Sequence, residues 1–347
     1  MLLAYDRLQA FLGRFPRLTI GLVGDLVLDQ YLELAPGVRE LSLETGLEAY
    51  QITKVRNAAG ALGTVLNNLA ALGVGRLVPV AVIGDDGRGF DLRRALVDLP
   101  VDLTHLIADP QRLTPTYTKP IRRLENGLVE ELNRLDIRDR QPLSAAASTA
   151  VGDRLASIWN ECDGFIVLDQ FVEPNWGVVN DGVRSRLAEL ASADPAKLIY
   201  VDSRAQLARF HFGVLKGNRR EVLAAAEADA DGDGDARPAL ERLRDRTGRA
   251  AYCTCGDDGM LVADPTGATR LVPGFRVPGP VDVVGAGDAA TSGIVTSLLA
   301  GATPVEAAVV GNLVASITVQ QLGTTGTARP AQVAQRYHEW AAALPRT

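Results

Sequence analysis

The chain has 347 residues, 47% hydrophobic and 22% charged, a balance typical of globular proteins that bury a large core. Its formal charge of −6 and basic runs no longer than Arg122-Arg123 or Arg219-Arg220 argue against the phosphate-neutralising surface of a nucleic-acid binder. Three cysteines set no disulfide framework, no apolar run nears the roughly 18 residues of a membrane span, and positions 1–14 lack a leader pattern, so a cytoplasmic protein without membrane partners is expected.

Strand-length apolar runs alternate with helix-compatible segments along the chain. A first strand is predicted at 18–23, after which 31–56 breaks the rhythm. A helical pattern at 67–72 leads to a strand at 76–83 and a helix at 89–99. A second irregular stretch, 114–136, carries Glu125-Asn126-Gly127 between strand-like runs, and Asn-Gly in that setting signals a hairpin. Strands at 164–168 and 197–201 bracket a helix at 178–191, strands at 251–254 and 260–263 follow, and the next helix covers 289–300. Continuously apolar strands suit a sheet covered on both faces, so the expected fold class is α/β, with a mostly parallel central sheet flanked by helices. The core is expected to comprise 1–30, 57–112 and 137–347, with 31–56 and 113–136 forming a small β-sheet lid.

Residues 225–238 alternate Asp231, Asp233 and Asp235 as a calcium loop does. However, the sixth position is Ala236 where glycine is needed and the twelfth is Arg242 where a bidentate glutamate is needed, so a flexible charged linker is expected. His105, His211 and His338 are scattered and Cys253-x-Cys255 has no partner pair, which speaks against zinc, and no Gly-x-x-x-x-Gly-Lys-Ser/Thr loop occurs.

The segment richest in chemistry is Asp282-Val-Val-Gly-Ala-Gly-Asp288, which opens into the helical pattern at 289–300. Glycines let the backbone bend tightly and present successive N–H groups, and a helix start adds its positive dipole end. Gly285, Ala286 and Gly287 therefore suit an anion cradle that stabilises charge on a moving phosphoryl group, while Asp288 can accept a proton from an attacking hydroxyl. The plain structural alternative is a tight turn with Asp288 as a helix cap.

Asp-x-x-Gly-Ala-Gly-Asp resembles the signature of the pfkB, ribokinase-like carbohydrate kinases, and further elements follow that family's order. They are Val23-Gly24-Asp25 to Tyr31, Gly60-Ala61 to Gly73, Asn218-x-x-Glu221, Thr254-x-Gly256-x-x-Gly259, and Asn312 with Gly323-Thr324. The resemblance spans about residues 18–330. Within the family it points to the heptose-7-phosphate kinases, on Gly24-Asp25-x-x-x-Asp29-x-Tyr31, Pro115-Thr-x-Thr-Lys119 and Arg134-Leu-Asp136. It implies transfer of the γ-phosphoryl group of ATP to a sugar or sugar-phosphate hydroxyl, with Asp288 as base and Gly285, Ala286 and Gly287 as cradle. It also implies that Asn218, Glu221, Thr254, Gly256, Gly259 and Asn312 serve the nucleotide, and that Glu221 orders Mg²⁺ through water. The acceptor residues it implies are Asp25, Asp29, Gly60, Ala61, Thr64, Lys119 and Arg134. Lys119, Arg122, Arg123 and Arg204 are candidates for a phosphate already on the sugar, and a homodimer formed through the lid is expected.

The sequence departs from the family in three places. Gly60-Ala61-Leu62-Gly63-Thr64 stands where Gly-Gly-x-x-Asn is usual, Val284 replaces threonine in the anion loop, and Asp169-Gln170 replaces Ser-Asp. The phosphoryl end is mostly intact and the acceptor end is altered, which keeps a second expectation open: a non-catalytic sugar or nucleotide sensor on a kinase fold.

Overall fold

The computed structural model describes residues 2–124, 129–227 and 235–343, and fourteen strands and ten α-helices form among them. The strands are β1 (Thr19–Gly24), β2 (Leu26–Leu34), β3 (Ile52–Ala61), β4 (Arg76–Gly84), β5 (Leu106–Asp109), β6 (Thr116–Arg123), β7 (Val129–Glu131), β8 (Leu135–Ile137), β9 (Gly164–Asp169), β10 (Leu198–Ser203), β11 (Val214–Asn218), β12 (Ala251–Thr254), β13 (Gly259–Ala263) and β14 (Arg270–Pro273). The helices are α1 (Tyr5–Leu12), α2 (Leu62–Ala71), α3 (Gly87–Leu96), α4 (Ala145–Ile158), α5 (Asp181–Ala193), α6 (Arg219–Ala225), α7 (Arg237–Thr247), α8 (Ala286–Leu299), α9 (Pro304–Thr318) and α10 (Pro330–Ala343).

Nine of the strands make one sheet in the order β14-β13-β12-β11-β10-β9-β1-β4-β5. From β12 to β5 the pairings are parallel, and β13 and β14 extend the edge antiparallel. The apolar runs supply both faces by alternation. Ile166, Leu168 and Tyr200 join one core with α1, α2, α3, α8, α9 and α10, whereas Phe165, Val167, Ile199 and Val201 join the other with α4, α5, α6 and α7.

Several helices begin where short polar side chains satisfy free N–H groups: Ser144 caps α4, Asn180 caps α5, and Asn218 and Thr303 form capping boxes with Glu221 and Glu306. Helix α9 was not evident from periodicity because it is buried on nearly every side, so no polar face marks its turns.

A second sheet runs β3-β2-β6-β7, with β8 paired to β6. Strands β2 and β3 cross positions 30/31 and 56/57 without a break. Alternation gives this sheet two unlike faces. One carries Asp29, Tyr31, Glu33, Arg56, Lys119 and Asp136; the other carries Leu32, Val55, Pro120 and Leu135, of which Val55 and Leu135 are 53% and 60% exposed.

The expected hairpin tip at Asn126-Gly127 and the acidic residues Asp231 and Asp233 lie outside the described residues. The flanking β6 and β7 pair antiparallel. Among the described residues no cluster of three or more His, Cys, Asp or Glu can hold a metal ion, and no helix is long and apolar enough to cross a membrane.

Candidate active site

The parallel strands end on one side of the large sheet, where open α/β sheets gather ligands. Register brings Asp202 at the end of β10 beside Lys216 of β11, and Asn218 beside Thr254 of β12. Helix α8 starts over this edge. Asp282 fixes the approach to it by accepting from Val284 N at 3.0 Å and from Gly323 N at 3.1 Å, and Ala286 N donates to Val283 O at 3.1 Å. The chain then turns at Gly285 with φ 79°, a left-handed geometry that favours glycine. Ala286 N is thus already taken, and the N–H groups of Gly287 and Asp288 in that first turn have no intrahelical acceptors of their own.

Asp288 lies in that first turn, half-buried. Burial, reinforced by the neighbouring carboxylate of Asp202, raises its pKa to about 7, against the opposing pull of Lys216 and Arg204. Beneath it lies a buried ion pair: Lys216 Nζ donates to Asp202 Oδ2 at 2.6 Å, and Thr291 Oγ1 of α8 donates to the same oxygen at 3.2 Å. Lys216 and Asp202 are each 5% exposed. Burial works against the ammonium, but Asp202, Asp288 and Glu221 outweigh it and raise its pKa.

Asn218 and Glu221 close the start of α6 as a capping box, with Asn218 N donating to Glu221 Oε2 at 2.7 Å and Glu221 N to Asn218 Oδ1 at 2.9 Å. Burial and the proximity of Asp202 raise the pKa of Glu221. A cavity of about 370 Å³ opens beside the start of α8, lined among others by Gly256, Phe275, Val281, Val283, Ala286 and Asn312. Asn312 is fixed there by Nδ2 bonds to Val272 O and Pro273 O at 3.1 and 3.2 Å. Thr254 and Gly259 stand outside that lining; Gly259, at φ 101°, makes the turn between β12 and β13.

The acceptor candidates separate into three groups. Asp29 and Lys119 meet on the charged face of the small sheet at 2.8 Å, and a Cβ built on Gly60 would fall 2.3 Å from Asp29 Oδ2, so that glycine makes room for the carboxylate. Lys119 also lies 4.9 Å from the centre of the Tyr31 ring. On the same face Arg134 makes a two-pronged pair with Asp136 at 2.6 and 2.8 Å and covers the ring of Tyr117, which is paired with Asp29 across the strands.

Asp25 stands apart from that group. It is buried, with Oδ1 accepting from Val178 N at 2.7 Å and Oδ2 from Gln170 N at 3.0 Å, and burial raises its pKa to about 6. Both of its oxygens therefore hold the segment after β9, and Asp29 is the carboxylate on the face with Gly60 and Lys119. Asp169, which bonds Ser203 Oγ at 2.8 Å, is raised to about 7 by burial and by Asp25.

The third group joins the two ends. The methyl of Thr64 lies 3.3 Å from the Cβ position of Gly285, so the start of α2 touches the anion loop. Ala61, the residue before α2, holds φ 52° and ψ −115°, a conformation that suits glycine and strains an alanine. Of the phosphate candidates, Arg122 and Arg123 diverge: Arg122 lies over Tyr50 and Arg123 pairs with Glu33 at 3.8 Å. The charge of Arg204 acts on Asp288 and Glu221. Lys216, Asp202 and Thr291 were not assigned roles from sequence. They meet only through strand register and helix docking, which no local motif reports.

The profile of the pfkB family carbohydrate kinase matches residues 33–331. A bifunctional protein HldE of Pelobacter propionicus is 29% identical over 318 residues, covering 90% of this chain, and one from a Caulobacter species is 31% identical over 325 residues, covering 92%. The chain spans 61% and 63% of the length of those two relatives. Among solved structures, Arabidopsis thaliana ribokinase complexed with ribose and ATP superposes with a TM-score of 0.66 at 15% identity, covering 92% of this chain and 98% of that one. Phosphofructokinase-2 of Escherichia coli in complex with potassium gives 0.69 at 18%, covering 93% and 99%. The expected α/β class with a mostly parallel sheet is thus observed as a ribokinase-like fold.

Proposed function

The chain belongs to the pfkB family of carbohydrate kinases, a family of phosphotransferases, and from that premise we propose that it transfers the γ-phosphoryl group of ATP to a hydroxyl of a heptose-7-phosphate-like sugar. The observation that carries the reading is the position of Asp288: on the first turn of α8, beside a nucleotide-sized cavity, above a buried lysine, and one turn from a residue touched by Thr64.

The adenosine part of ATP enters the cavity lined by Phe275, Val281 and Asn312, whose apolar walls and few polar groups suit a flat heterocycle. The phosphates run toward the N–H groups of Gly287 and Asp288. Asp288 takes the proton as the acceptor oxygen bonds to the γ-phosphorus; the bond to the β-phosphate bridging oxygen breaks and ADP departs. The first-turn N–H groups stabilise the three outer oxygens.

The residues present fit a magnesium ion carried with the triphosphate. Glu221 keeps one oxygen in its capping box and feels the repulsion of Asp202, which a divalent cation offsets, and a single carboxylate acting through water suits Mg²⁺. Bound there, the ion would neutralise charge on the β- and γ-phosphates. Asp29, Gly60 and Lys119 form the acceptor surface, and the charge of Lys119 suits a phosphate already on the sugar.

We extend the proposal to the small sheet as a lid in a cytoplasmic homodimer. Its charged face carries Asp29 and Lys119, while its other face exposes Val55 and Leu135 among polar residues such as Gln30, Asn57 and Thr118, a mixed surface that a second copy would cover. A second functional reading, a sensor that binds without turnover, is favoured by one observation, the strained Ala61 in the acceptor loop. The deciding experiment measures ADP release from ATP with a panel of sugars and sugar phosphates. Acceptor-dependent release supports the kinase, and tight binding of an acceptor with no release on any of them supports the sensor.

A further inference from the structure

We propose that the protein has a second small-molecule site, for a flat aromatic monoanion, at the N-terminal edge of the large sheet. This site goes beyond the kinase reading and does not depend on it. Strands β10 and β11 come into register only at Tyr200 and Val214, so Leu198 and Ile199 have partners in β9 but none in β11. The chain enters β11 through Gly213, whose φ of 80° turns it and whose missing side chain lets it pass the start of β10; a Cβ there would fall 2.7 Å from Ile199 O. A cavity of about 550 Å³ opens at this point, larger than the one of about 370 Å³ beside the start of α8. It lies at the opposite strand ends from Asp288: Leu198, in its lining, begins the strand that leads to Asp202, and Leu298, also in its lining, stands in the last turn of the helix that Asp288 opens.

The lining divides by chemistry. Leu198, Ile199, Phe212, Val214 and Leu298 supply an apolar surface, and Lys197, His211 and Arg249 supply basic groups. Among the described residues no carboxylate lines the cavity, although the chain carries a formal charge of −6. Lys197 is engaged elsewhere, donating to Cys162 O at 2.9 Å with Asp194 Oδ2 3.8 Å away. Arg249 donates to Pro195 O, itself part of the lining, which fixes the guanidinium at the rim. Among the described residues neither Arg249 nor His211 forms an ion pair with a carboxylate. A pocket of this size with an apolar body and one basic edge suits a planar ring system bearing a single negative group, whereas a polyanion would find too few partners for its further charges.

The test titrates the full chain, with ATP held at saturation, with anilinonaphthalene sulfonate and with its uncharged relative phenylnaphthylamine, read by fluorescence and by calorimetry. The sulfonate should bind saturably, one molecule per chain, and about tenfold more tightly than the amine. His211→Ala combined with Arg249→Ala should erase that preference. Ala188 lines the cavity from the exposed side of α5, so Ala188→Trp should fill it and weaken both probes by about tenfold or more. Thermal melts establish that each variant is folded, and Ser192→Trp, one turn further along the same face, replaces Ala188→Trp if that variant does not fold.

Absence of saturable sulfonate binding with ATP present would overturn the proposal, because the only sulfonate site would then be the one ATP occupies or none. Binding that the filling and the charge-removing variants both leave unchanged would overturn it as well, as would equal affinity for the two probes in the unmodified protein. Failure of phosphoryl transfer on every acceptor would remove the kinase reading and leave this site standing, so the two fail separately.

Discussion

The two ends of the site are built from different materials. The phosphoryl end sits on the large sheet, where Asp202, Lys216 and Thr291 are locked by register, burial and helix docking. The proposed acceptor end sits on a five-stranded sheet that carries the largely covered Asp29–Lys119 pair and whose entry to α2 is strained at Ala61. On the proposed reading, the reaction type rests on packed geometry, whereas the choice of acceptor rests on a few side chains of the small sheet and the start of α2. On that reading an altered acceptor loop can coexist with a mostly intact anion loop.

The sharpest way to break that contrast is Asp288→Asn. Its kcat should drop about 10²–10⁴-fold with ATP affinity nearly unchanged, because the base is lost and the cradle is kept; steady-state kinetics with titration calorimetry would check it. Near-normal turnover would refute the assignment of the phosphoryl end.

At the acceptor end, Lys119→Met leaves Asp29 without its cation. We expect acceptor KM to rise roughly 30-fold, about 2 kcal/mol, with kcat far less affected than by the change at Asp288. A large kcat loss there would erase the division of labour.

The pH profile gives a smaller effect. Asp288 accepts a proton only when ionised, and its pKa is raised to about 7, so kcat/KM should climb roughly tenfold from pH 6 to pH 8 and then level. A profile already flat at pH 6 would contradict this.

Smallest is Ala61→Gly. Relief of the positive φ should stabilise the fold by about 1 kcal/mol and raise Tm by about 2 °C in a thermal melt. The same variant tests whether the sensor reading owes anything to the strain at this position.

Much of the fold was legible because buried parallel strands leave continuous apolar runs, and those near 20, 80, 166 and 200 appear within a few residues of their expected bounds. The anion loop was legible because its glycines and helix start lie next to one another in the chain. The Lys216–Asp202 pair was not, since its partners stand fourteen positions apart across a 3₁₀ turn and meet only through neighbouring strands. Nor did the sequence distinguish Asp25 from Asp29: both follow β1 closely, yet one carboxylate turns into backbone N–H groups while the other faces Lys119.

Register has one more outcome, for how the chain can vary over generations. Exchanging Lys216 or Asp202 alone strands the other charge in the interior, a loss of about 3–5 kcal/mol and a large share of a domain's stability. A change at either position would therefore be expected to need a matching change at the other.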